Sequence, residues 1–492
     1  PGAVALVAGD GTELTYEELR RRVLAVRQGL LKAGMEPGDG VLFSVIPSPE
    51  AVVLALGVVA ARGVVVFADP GAGPEMFTAR LNLARPRWSA ANALMYAAGR
   101  GPIAMLARRR GLTLPNLNSV EISGQGKLRP IVVGPRIPGV PFRALSYRKL
   151  IAAKPTSETV EDVPDAPAVV VFTSGTTKKP RAVVHTQASL AAALDLFRER
   201  LPLGPGDIVH TDQMMLGLPT LIAGARWSMP PFGCSPADFA RLLDERRATH
   251  TFCVPVHLSE VLDARPTLPA SLRYVLLGAA PAPAALLRRV MSAAAPTTHV
   301  LSVYGMTEIL PVAIASAQEK LAHTESGADG DLLGAPLAQA RVSPDDGELC
   351  LSGPNLCRGY LGDPPLNELP TGDLARIDDD GRLVLTGRKK DMLIRGKFNL
   401  YPGLYEPAIA AIEGVTEAAI VGVPSPETGD EEVVLAVVGT ADPAELQRRL
   451  PDLIDHDALP DRITVLPELP RSGRSRKLDR NLLRDAVQEV AS

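Results

Sequence analysis

Strand and helix patterns alternate from the start of the chain. Apolar residues recur at helical spacing over 15–34, where Thr15 stands at the N-cap position. The stretches 41–46 and 64–70 are typical of apolar strands, and 49–61 is typical of a second helix. This strand–helix–strand order favours parallel strands whose faces are covered by helices. The chain is therefore predicted to have an α/β fold.

The alternation resumes in the middle of the chain and gives way to short, turn-rich strands after residue 340. A length of 492 residues exceeds the ~250–300 at which a single core usually divides. We predict a large N-terminal domain, 1–389, of stacked parallel-rich sheets with flanking helices and a β-subdomain, and a small α+β C-terminal domain, 391–492. The middle elements are predicted as strands 168–175, 248–255, 272–280 and 298–305 and helices 185–201 and 281–294.

Composition excludes several classes of protein. The formal net charge of −3 gives no basic footprint for nucleic acid. The four cysteines show no C-x-x-C spacing, which argues against a zinc site, and their number fits a reducing compartment. The longest apolar run, 51–61, is too short to span a membrane and is predicted to be a buried helix. With no signal peptide visible, we expect a cytoplasmic protein.

One loop concentrates phosphate-binding chemistry. The stretch 169–186 reads VVVFTSGTTKKPRAVVHT, a buried strand followed by hydroxyls, a glycine and cations. Glycine permits close backbone approach, hydroxyls and N–H groups donate hydrogen bonds, and cations neutralise charge, so the loop suits phosphate. It lacks Walker A spacing, and an ordinary polar turn is the alternative. The predicted phosphate contacts are Thr173, Ser174, Gly175, Thr176, Thr177, Lys179 and Arg181.

This loop resembles T-S-G-T-T-G-x-P-K-G, the signature of the acyl-adenylate-forming superfamily of acyl-CoA synthetases, adenylation domains and luciferases. Further matches follow in the order that the family has them, so the resemblance covers nearly the whole chain. They are LTYEEL (14–19), VYGMTE (303–308), GELCLSGPNLCRGYLGD (347–363), TGDLARIDDDGRLVLTGRKKDMLIRG (371–396) and KLDR (477–480).

The resemblance implies ATP and Mg²⁺ as cofactors and assigns roles to single residues. Thr307 would hold the α-phosphate, Glu308 would bind Mg²⁺, and Lys477 would bridge the acid carboxylate and the α-phosphate. Taken singly, each residue could equally be a core or surface residue. The other nucleotide contacts implied are Tyr304 on the adenine, the turn Gly278, Ala279 and Ala280 beside it, and Asp373 with Arg388 on the ribose.

The resemblance also implies a hinge and an acid pocket. Lys390, two residues after Arg388, is predicted to be the pivot about which the C-terminal domain turns between two half-reactions. The substrate is expected to be a small-molecule carboxylic acid. Its pocket is predicted from Gln213, Met214, Met215, Gly305 and Met306, although the two adjacent methionines could simply be core. Asp212 aligns poorly with an amine-pairing acid, which disfavours an amino-acid substrate.

Departures from the family pattern leave the second step open. Lys178 and Ala182 replace glycines of the phosphate loop, Lys397 replaces a glycine near the CoA path, and Leu404 replaces a glutamate. The acyl acceptor is therefore either CoA or the phosphopantetheine of an acyl carrier protein. Two alternatives are a β-lactone synthetase-like enzyme that needs no CoA and a catalytically silent nucleotide-binding member. The oligomeric state is not predicted.

Overall fold

The computed structural model describes residues 2–68, 74–97, 116–122, 126–154, 160–173, 180–343, 345–395, 398–424, 431–454, 458–472 and 476–490. The chain forms two compact units. The first unit comprises Pro1–Cys234, Thr307–Ile309 and Pro354–Asn367, and the second comprises Ser235–Met306, Leu310–Gly353 and Glu368–Ser492.

Up to residue 234, helices and strands alternate over 16–67 as the sequence predicts, and several short strands follow one another before residue 147. The helices are α1 (Tyr16–Lys32), α2 (Pro49–Ala60), α3 (Pro74–Ala84), α4 (Ala93–Ala97), α5 (Tyr147–Ile151), α6 (Gln187–Arg200) and α7 (Met214–Ile222). The strands are β1 (Val4–Val7), β2 (Glu13–Thr15), β3 (Gly40–Ser44), β4 (Val64–Phe67), β5 (Trp88–Asn92), β6 (Glu121–Ile122), β7 (Gly126–Lys127), β8 (Arg129–Val133), β9 (Leu145–Ser146), β10 (Pro167–Thr173), β11 (Arg181–Thr186), β12 (Ile208–His210) and β13 (Arg226–Ser228).

The central part of the chain, up to residue 390, continues with four helices and ten strands among its described residues. The helices are α8 (Pro236–Glu245), α9 (Pro255–Ala264), α10 (Ala284–Ala293) and α11 (Ala317–Glu325). The strands are β14 (His250–Cys253), β15 (Tyr274–Gly278), β16 (His299–Met306), β17 (Ile309–Ser316), β18 (Asp331–Pro336), β19 (Gln339–Val342), β20 (Glu348–Ser352), β21 (Gly359–Tyr360), β22 (Leu369–Ile377) and β23 (Leu383–Arg388).

The C-terminal part is α+β. Its strands are β24 (Leu393–Arg395), β25 (Phe398–Leu400), β26 (Val415–Pro424), β27 (Glu431–Gly439), β28 (Arg462–Val465), β29 (Arg471–Ser472) and β30 (Lys477–Leu478). Its helices are α12 (Pro402–Ala410), α13 (Pro443–Arg449) and α14 (Arg480–Glu489).

An eight-stranded sheet organises the first unit, in the order β21-β11-β10-β4-β3-β5-β8-β9. All neighbours from β10 to β9 run parallel, whereas β10 and β11 form an antiparallel hairpin and β21 pairs antiparallel with β11. Helix α2 covers this sheet and is buried along most of its length, as the apolar run at 51–61 predicts. The parallel sheet with helices on its faces confirms the α/β fold class.

Local sequence explains where the helices begin. The Thr15 hydroxyl accepts a hydrogen bond from the Glu18 backbone N–H at 3.2 Å, so α1 begins where the sequence predicts. The helix predicted at 185–201 begins at Gln187 instead. The strand β11 extends to Thr186, whose hydroxyl caps α6 through Ser189 in a capping box.

In the second unit the strands follow the order β19-β20-β22-β23-β18-β17-β16-β15-β14. The β14, β15 and β16 strands are parallel, and the remaining described pairings are antiparallel. The C-terminal part builds cores of its own around the three-stranded sheet β26-β27-β28. No helix among the described residues combines the length and the apolar composition needed to cross a membrane.

Candidate active site

The predicted phosphate loop connects the two strands of a hairpin. Its ends are fixed because Thr173, the last residue of β10, stands opposite Arg181, the first residue of β11. Ser174, Gly175, Thr176, Thr177 and Lys179, together with Lys178, lie outside the described residues. The pairing of β10 with β11 thus holds the two ends of this loop together.

Arg181 lies over the ring of a tyrosine that the sequence analysis gave no role. The guanidinium carbon is 3.6 Å from the ring centroid of Tyr360. Tyr360 stands opposite Val183 in the β11–β21 pairing, so its ring and the Arg181 side chain, two residues along the strand, lie on the same face. The close approach is a cation–π contact.

Glu308 is held by the same tyrosine. The Tyr360 hydroxyl donates to Glu308 Oε1 at 2.9 Å, and the Cys357 N–H donates to the Glu308 carbonyl at 2.8 Å. Ile309 and Leu356 form an isolated antiparallel bridge beside them. Burial and the neighbouring carboxylate raise the pKa of the Tyr360 hydroxyl, which therefore stays a donor. The first unit thus joins two predicted residues, Arg181 and Glu308, through Tyr360.

Thr307 is positioned through its backbone by a buried histidine. His185 Nε2 lies 2.7 Å from the Thr307 carbonyl oxygen, and its Nδ1 lies 3.2 Å from the Ser189 hydroxyl. Burial lowers the pKa of His185, which favours the neutral ring. Because a carbonyl can only accept, Nε2 carries the proton. The neutral His185 therefore orients Thr307 without adding charge.

The residues around Glu308 fit a magnesium ion that binds together with a nucleotide. Mg²⁺ is often bound by one or two carboxylates together with substrate phosphates. Within the part of the chain that the structure describes, no three His, Cys, Asp or Glu side chains gather into a metal cage. Glu308, joined to Arg181 through Tyr360, offers a hard carboxylate oxygen, which suits an ion that substrate phosphates would also bind.

In the second unit, three predicted nucleoside contacts meet. Asp373 is 2% exposed, its Oδ2 accepts from the Tyr304 hydroxyl at 2.6 Å, and its Oδ1 lies 2.7 Å from Arg388 Nε. Asp373 and Arg388 are directly opposite in the β22–β23 pairing. Burial and the Asp373 carboxylate raise the pKa of Tyr304 well above its usual value. Both carboxylate oxygens keep further acceptor capacity for ribose hydroxyls.

The predicted turn beside the adenine begins at the end of β15. A Cβ on Gly278 would lie 3.0 Å from the Phe252 ring, so the residue must be small. Ala279 adopts a φ of 67°, in the left-handed region, and Ala280 follows it as the chain leaves the sheet. Left-handed geometry is costly for alanine, so the turn carries backbone strain at Ala279.

The five predicted acid-pocket residues are divided between the units. Gln213 is exposed, precedes α7 and donates from Nε2 to Asp212 Oδ1 at 2.8 Å. Met214 packs against the core of the first unit, as the alternative interpretation of the methionines anticipates, and the side chain of Met215 lies outside the described residues. Gly305 and Met306 end strand β16 in the second unit. The pocket stays a prediction.

Lys477 and Lys390 are both exposed. Lys477 begins β30, and the preceding Arg476 pairs with Glu260 of α9 at 2.5 Å. Lys390 lies in a single 3-10 turn, Lys389–Asp391. The Lys397 side chain lies outside the described residues.

The two chain neighbours of Lys390, Lys389 and Asp391, each form ion pairs with different partners. Lys389 contacts Asp346 and Glu348 at 2.7 and 2.5 Å, which lowers the pKa of Asp346 to about 2. Asp391 contacts Arg480 at 3.3 Å.

Tyr360 and His185 were given no role from the sequence, although both lie within stretches that carry the resemblance. Tyr360 belongs to the matched segment 347–363, and His185 lies near the end of the stretch 169–186 that contains the phosphate loop. Each was visible as a chemically capable side chain, but its partner was not. The pairings Tyr360–Glu308 and His185–Thr307 join residues 52 and 122 positions apart, a distance that no local pattern reveals.

The chain resembles known enzymes along nearly its full length. It is 28% identical over 473 residues to a feruloyl-CoA synthase from Amycolatopsis sp, covering 90% of this chain and 86% of the relative. The amide bond synthetase McbA from Marinactinospora thermotolerans superposes with a TM-score of 0.81 at 25% identity, covering 99% and 97%. ATP-bound MatB from Rhodopseudomonas palustris superposes with a TM-score of 0.79 at 25% identity, covering 100% and 97%.

Family models match both parts of the chain. Residues 1–361 match the AMP-binding enzyme family, and residues 405–477 match the C-terminal domain of AMP-binding enzymes. The motifs that carry the sequence resemblance fall within or beside these matches. The chain therefore belongs to the AMP-binding enzymes of the acyl-adenylate-forming superfamily, ligases that activate acids with ATP.

Proposed function

We propose that this ligase couples a small-molecule carboxylic acid to ATP, releases pyrophosphate and passes the acyl group from the adenylate to a thiol. The contact among Tyr304, Asp373 and Arg388 carries the proposal. It supports a nucleoside site because an aromatic ring is fixed beside a carboxylate that can accept from ribose hydroxyls. The phosphate-loop motif and the motif that contains Thr307 follow each other in the order that the family has them, which also supports an ATP site.

The first half-reaction needs positioning and charge neutralisation more than a nucleophilic side chain. A carboxylate oxygen of the acid attacks the α-phosphorus, and the bond to pyrophosphate breaks. Arg181 and Lys477 would offset the charge that develops on the phosphate oxygens. A bound Mg²⁺ would be held by Glu308 and would supply further charge neutralisation. Cys357, beside Glu308, is not a competing nucleophile because burial raises its pKa to about 11.

The second half-reaction requires a thiol to replace AMP at the acyl carbon. The feruloyl-CoA synthase relative supports CoA as that thiol, and a carrier-protein phosphopantetheine offers the same group. The amide bond synthetase neighbour supports a second candidate, transfer to an amine. Both candidates share the adenylate, so they differ only in the acceptor.

An acid and acceptor panel tests the proposal. Ferulate and a range of short, long and β-hydroxy acids are each incubated with ATP and Mg²⁺, then with CoA, with an amine or with neither, and pyrophosphate release and acyl products are measured. We expect pyrophosphate release that depends on the acid and an acyl-thioester that appears only with the thiol. Products that ignore CoA and need a β-hydroxy acid would favour a β-lactone-forming enzyme. Silence with every acid, despite ATP binding, would favour a catalytically silent member.

The ion pairs around Lys390 support its role as the hinge. Lys389 is held by Asp346 and Glu348 on one side, while Asp391 is held by Arg480 on the other. The backbone of Lys390 is thus the position where a change of φ and ψ breaks neither ion pair.

A proline substitution at Lys390 tests the hinge, because it should affect the two half-reactions differently. In Lys390→Pro, we expect adenylation within about twofold of wild type and acyl transfer lowered at least about tenfold, because proline fixes φ. Pyrophosphate release and thioester formation are measured separately. Lys390→Ala serves as the control, since it removes the charge and keeps backbone freedom. Equal loss of both steps in the proline variant would refute the hinge.

A further inference from the structure

Tyr360 lies between two residues that the proposed function assigns to the nucleotide. Its ring is 3.6 Å from the Arg181 guanidinium carbon, and its hydroxyl donates to Glu308 Oε1 at 2.9 Å. One side chain therefore touches both a cation at the end of the phosphate loop and the carboxylate proposed to bind the metal.

The backbone fixes the ring in this place. Tyr360 is paired in the sheet with Val183, the Leu361 N–H donates to the Ala182 carbonyl at 2.8 Å, and the Arg358 N–H donates to the Val184 carbonyl at 2.9 Å. The same segment binds the Glu308 carbonyl through the Cys357 N–H. The backbone that carries the ring can therefore move only if ladder hydrogen bonds break, and the ring itself is held by its contacts with Arg181 and Glu308.

The residue types suit this arrangement. The family signature has lysine where this chain has Arg181. A guanidinium is planar, so it can stack flat on a ring while the N–H groups at its edge stay available to phosphate oxygens, which an ammonium group cannot do. The hydroxyl occupies one oxygen of Glu308. Among the residues that the structure describes, the other oxygen makes no hydrogen bond.

We infer that Tyr360 is a positioning residue of the nucleotide site, whose ring presents Arg181 to the phosphates and whose hydroxyl orients Glu308 toward the divalent cation. The inference rests on the proposed function, because it places phosphates at Arg181. Tyr360 itself would contact neither substrate nor metal. It acts through its two partners.

The hydroxyl is tested by metal binding. The dissociation constant of Mn²⁺ is measured by electron paramagnetic resonance in the presence of a non-hydrolysable ATP analogue, and that of ATP is measured in EDTA. Tyr360→Phe should weaken Mn²⁺ binding about tenfold, the effect of losing one hydrogen bond to a charged group, and leave metal-free ATP binding unchanged. Unchanged Mn²⁺ binding would overturn the role of the hydroxyl.

A matched control separates this effect from general loss of a tyrosine hydroxyl. Tyr16 donates to the Leu221 and Ala225 carbonyls at 3.0 and 2.6 Å, also in the first unit. Tyr16→Phe should lower the melting temperature and leave Mn²⁺ binding as in wild type. If it weakens Mn²⁺ binding as much as Tyr360→Phe does, the effect is structural and the inference fails.

The ring is tested by a double-mutant cycle on metal-free ATP binding. Arg181→Lys should weaken ATP binding about fivefold when Tyr360 is present, because the stacked orientation is lost. In the Tyr360→Leu background the same change should cost no more than about twofold. Additive effects would overturn the role of the ring. Circular dichroism confirms that each variant is folded.

The outcomes for the two proposals differ. A wild-type protein that binds neither ATP nor its analogue contradicts the proposed function. A wild-type protein that binds ATP, with Tyr360→Phe and Tyr360→Leu variants identical to it in both assays, contradicts the positioning role alone.

Discussion

The two predicted nucleotide clusters handle their carboxylates differently. In the second unit, Asp373 is almost fully buried and is bound by both Tyr304 and Arg388. In the first unit, Glu308 is partly exposed and held by one hydroxyl, while Arg181 is exposed. Removing a partner from a buried polar group costs stability, whereas exposed groups cost little. The nucleoside cluster (Tyr304, Asp373 and Arg388) should thus contribute to the stability of the fold. The phosphate cluster (Arg181, Glu308 and Tyr360) should contribute little to stability.

The largest effect is expected from a residue in neither cluster. Lys477→Ala should lower the rate of adenylate formation about 10²–10³-fold, because it removes a charge that stabilises the developing phosphate negative charge. Stability should stay within about 0.5 kcal/mol, because the side chain is exposed. Pyrophosphate exchange and thermal unfolding are the measurements. Lys149→Ala, at another exposed lysine, is the control. An undiminished rate would show that the two clusters suffice without the C-terminal lysine.

Loss of the buried carboxylate comes next. Asp373→Ala should lower the free energy of unfolding by about 2 kcal/mol, because the half-buried Tyr304 hydroxyl loses its acceptor and the buried site loses its carboxylate. Asp373→Asn keeps an acceptor oxygen and should cost less. Both variants are compared by urea unfolding and by ATP binding. If the alanine variant is as stable as wild type, the nucleoside cluster is not structural and the contrast between the clusters disappears.

The phosphate cluster should respond in the opposite way. Arg181→Ala should change the free energy of unfolding by less than about 0.5 kcal/mol, since the residue is exposed, while it weakens ATP binding about tenfold through loss of a phosphate contact. Urea unfolding and titration calorimetry give the two numbers. A destabilisation similar to that of Asp373→Ala would show that both clusters are structural.

The smallest effect concerns the turn beside the nucleoside cluster. Ala279→Gly should raise the free energy of unfolding by up to about 1 kcal/mol, because glycine adopts the observed φ of 67° without steric cost. Ala280→Gly, one residue later and without a left-handed φ, is the control and should not stabilise. A loss of stability in Ala279→Gly would mean that the cost of ordering glycine outweighs the relief of strain.

Local sequence was sufficient for much of the fold. Apolar runs separated by helical patterns predict the parallel sheet, and Thr15 predicts the start of α1 because its hydroxyl meets a backbone N–H only three residues away. Where a tertiary pairing intervened, the prediction was wrong by two residues. His185 and Thr186 continue strand β11 because β10 pairs with them, and α6 begins after them.

The sequence by itself determined the family and named Tyr304, Asp373, Arg388, Arg181 and Glu308, since ordered motifs keep residue types and spacing. Only the tertiary structure decided that Tyr360 lies with Arg181 and Glu308 and that His185 lies with Thr307. Contacts of this kind depend on which strands lie side by side and in which register, and that is set by long-range burial of apolar faces. The residues of the acid pocket stay predictions, because such a pocket is formed by residues that are distant in sequence.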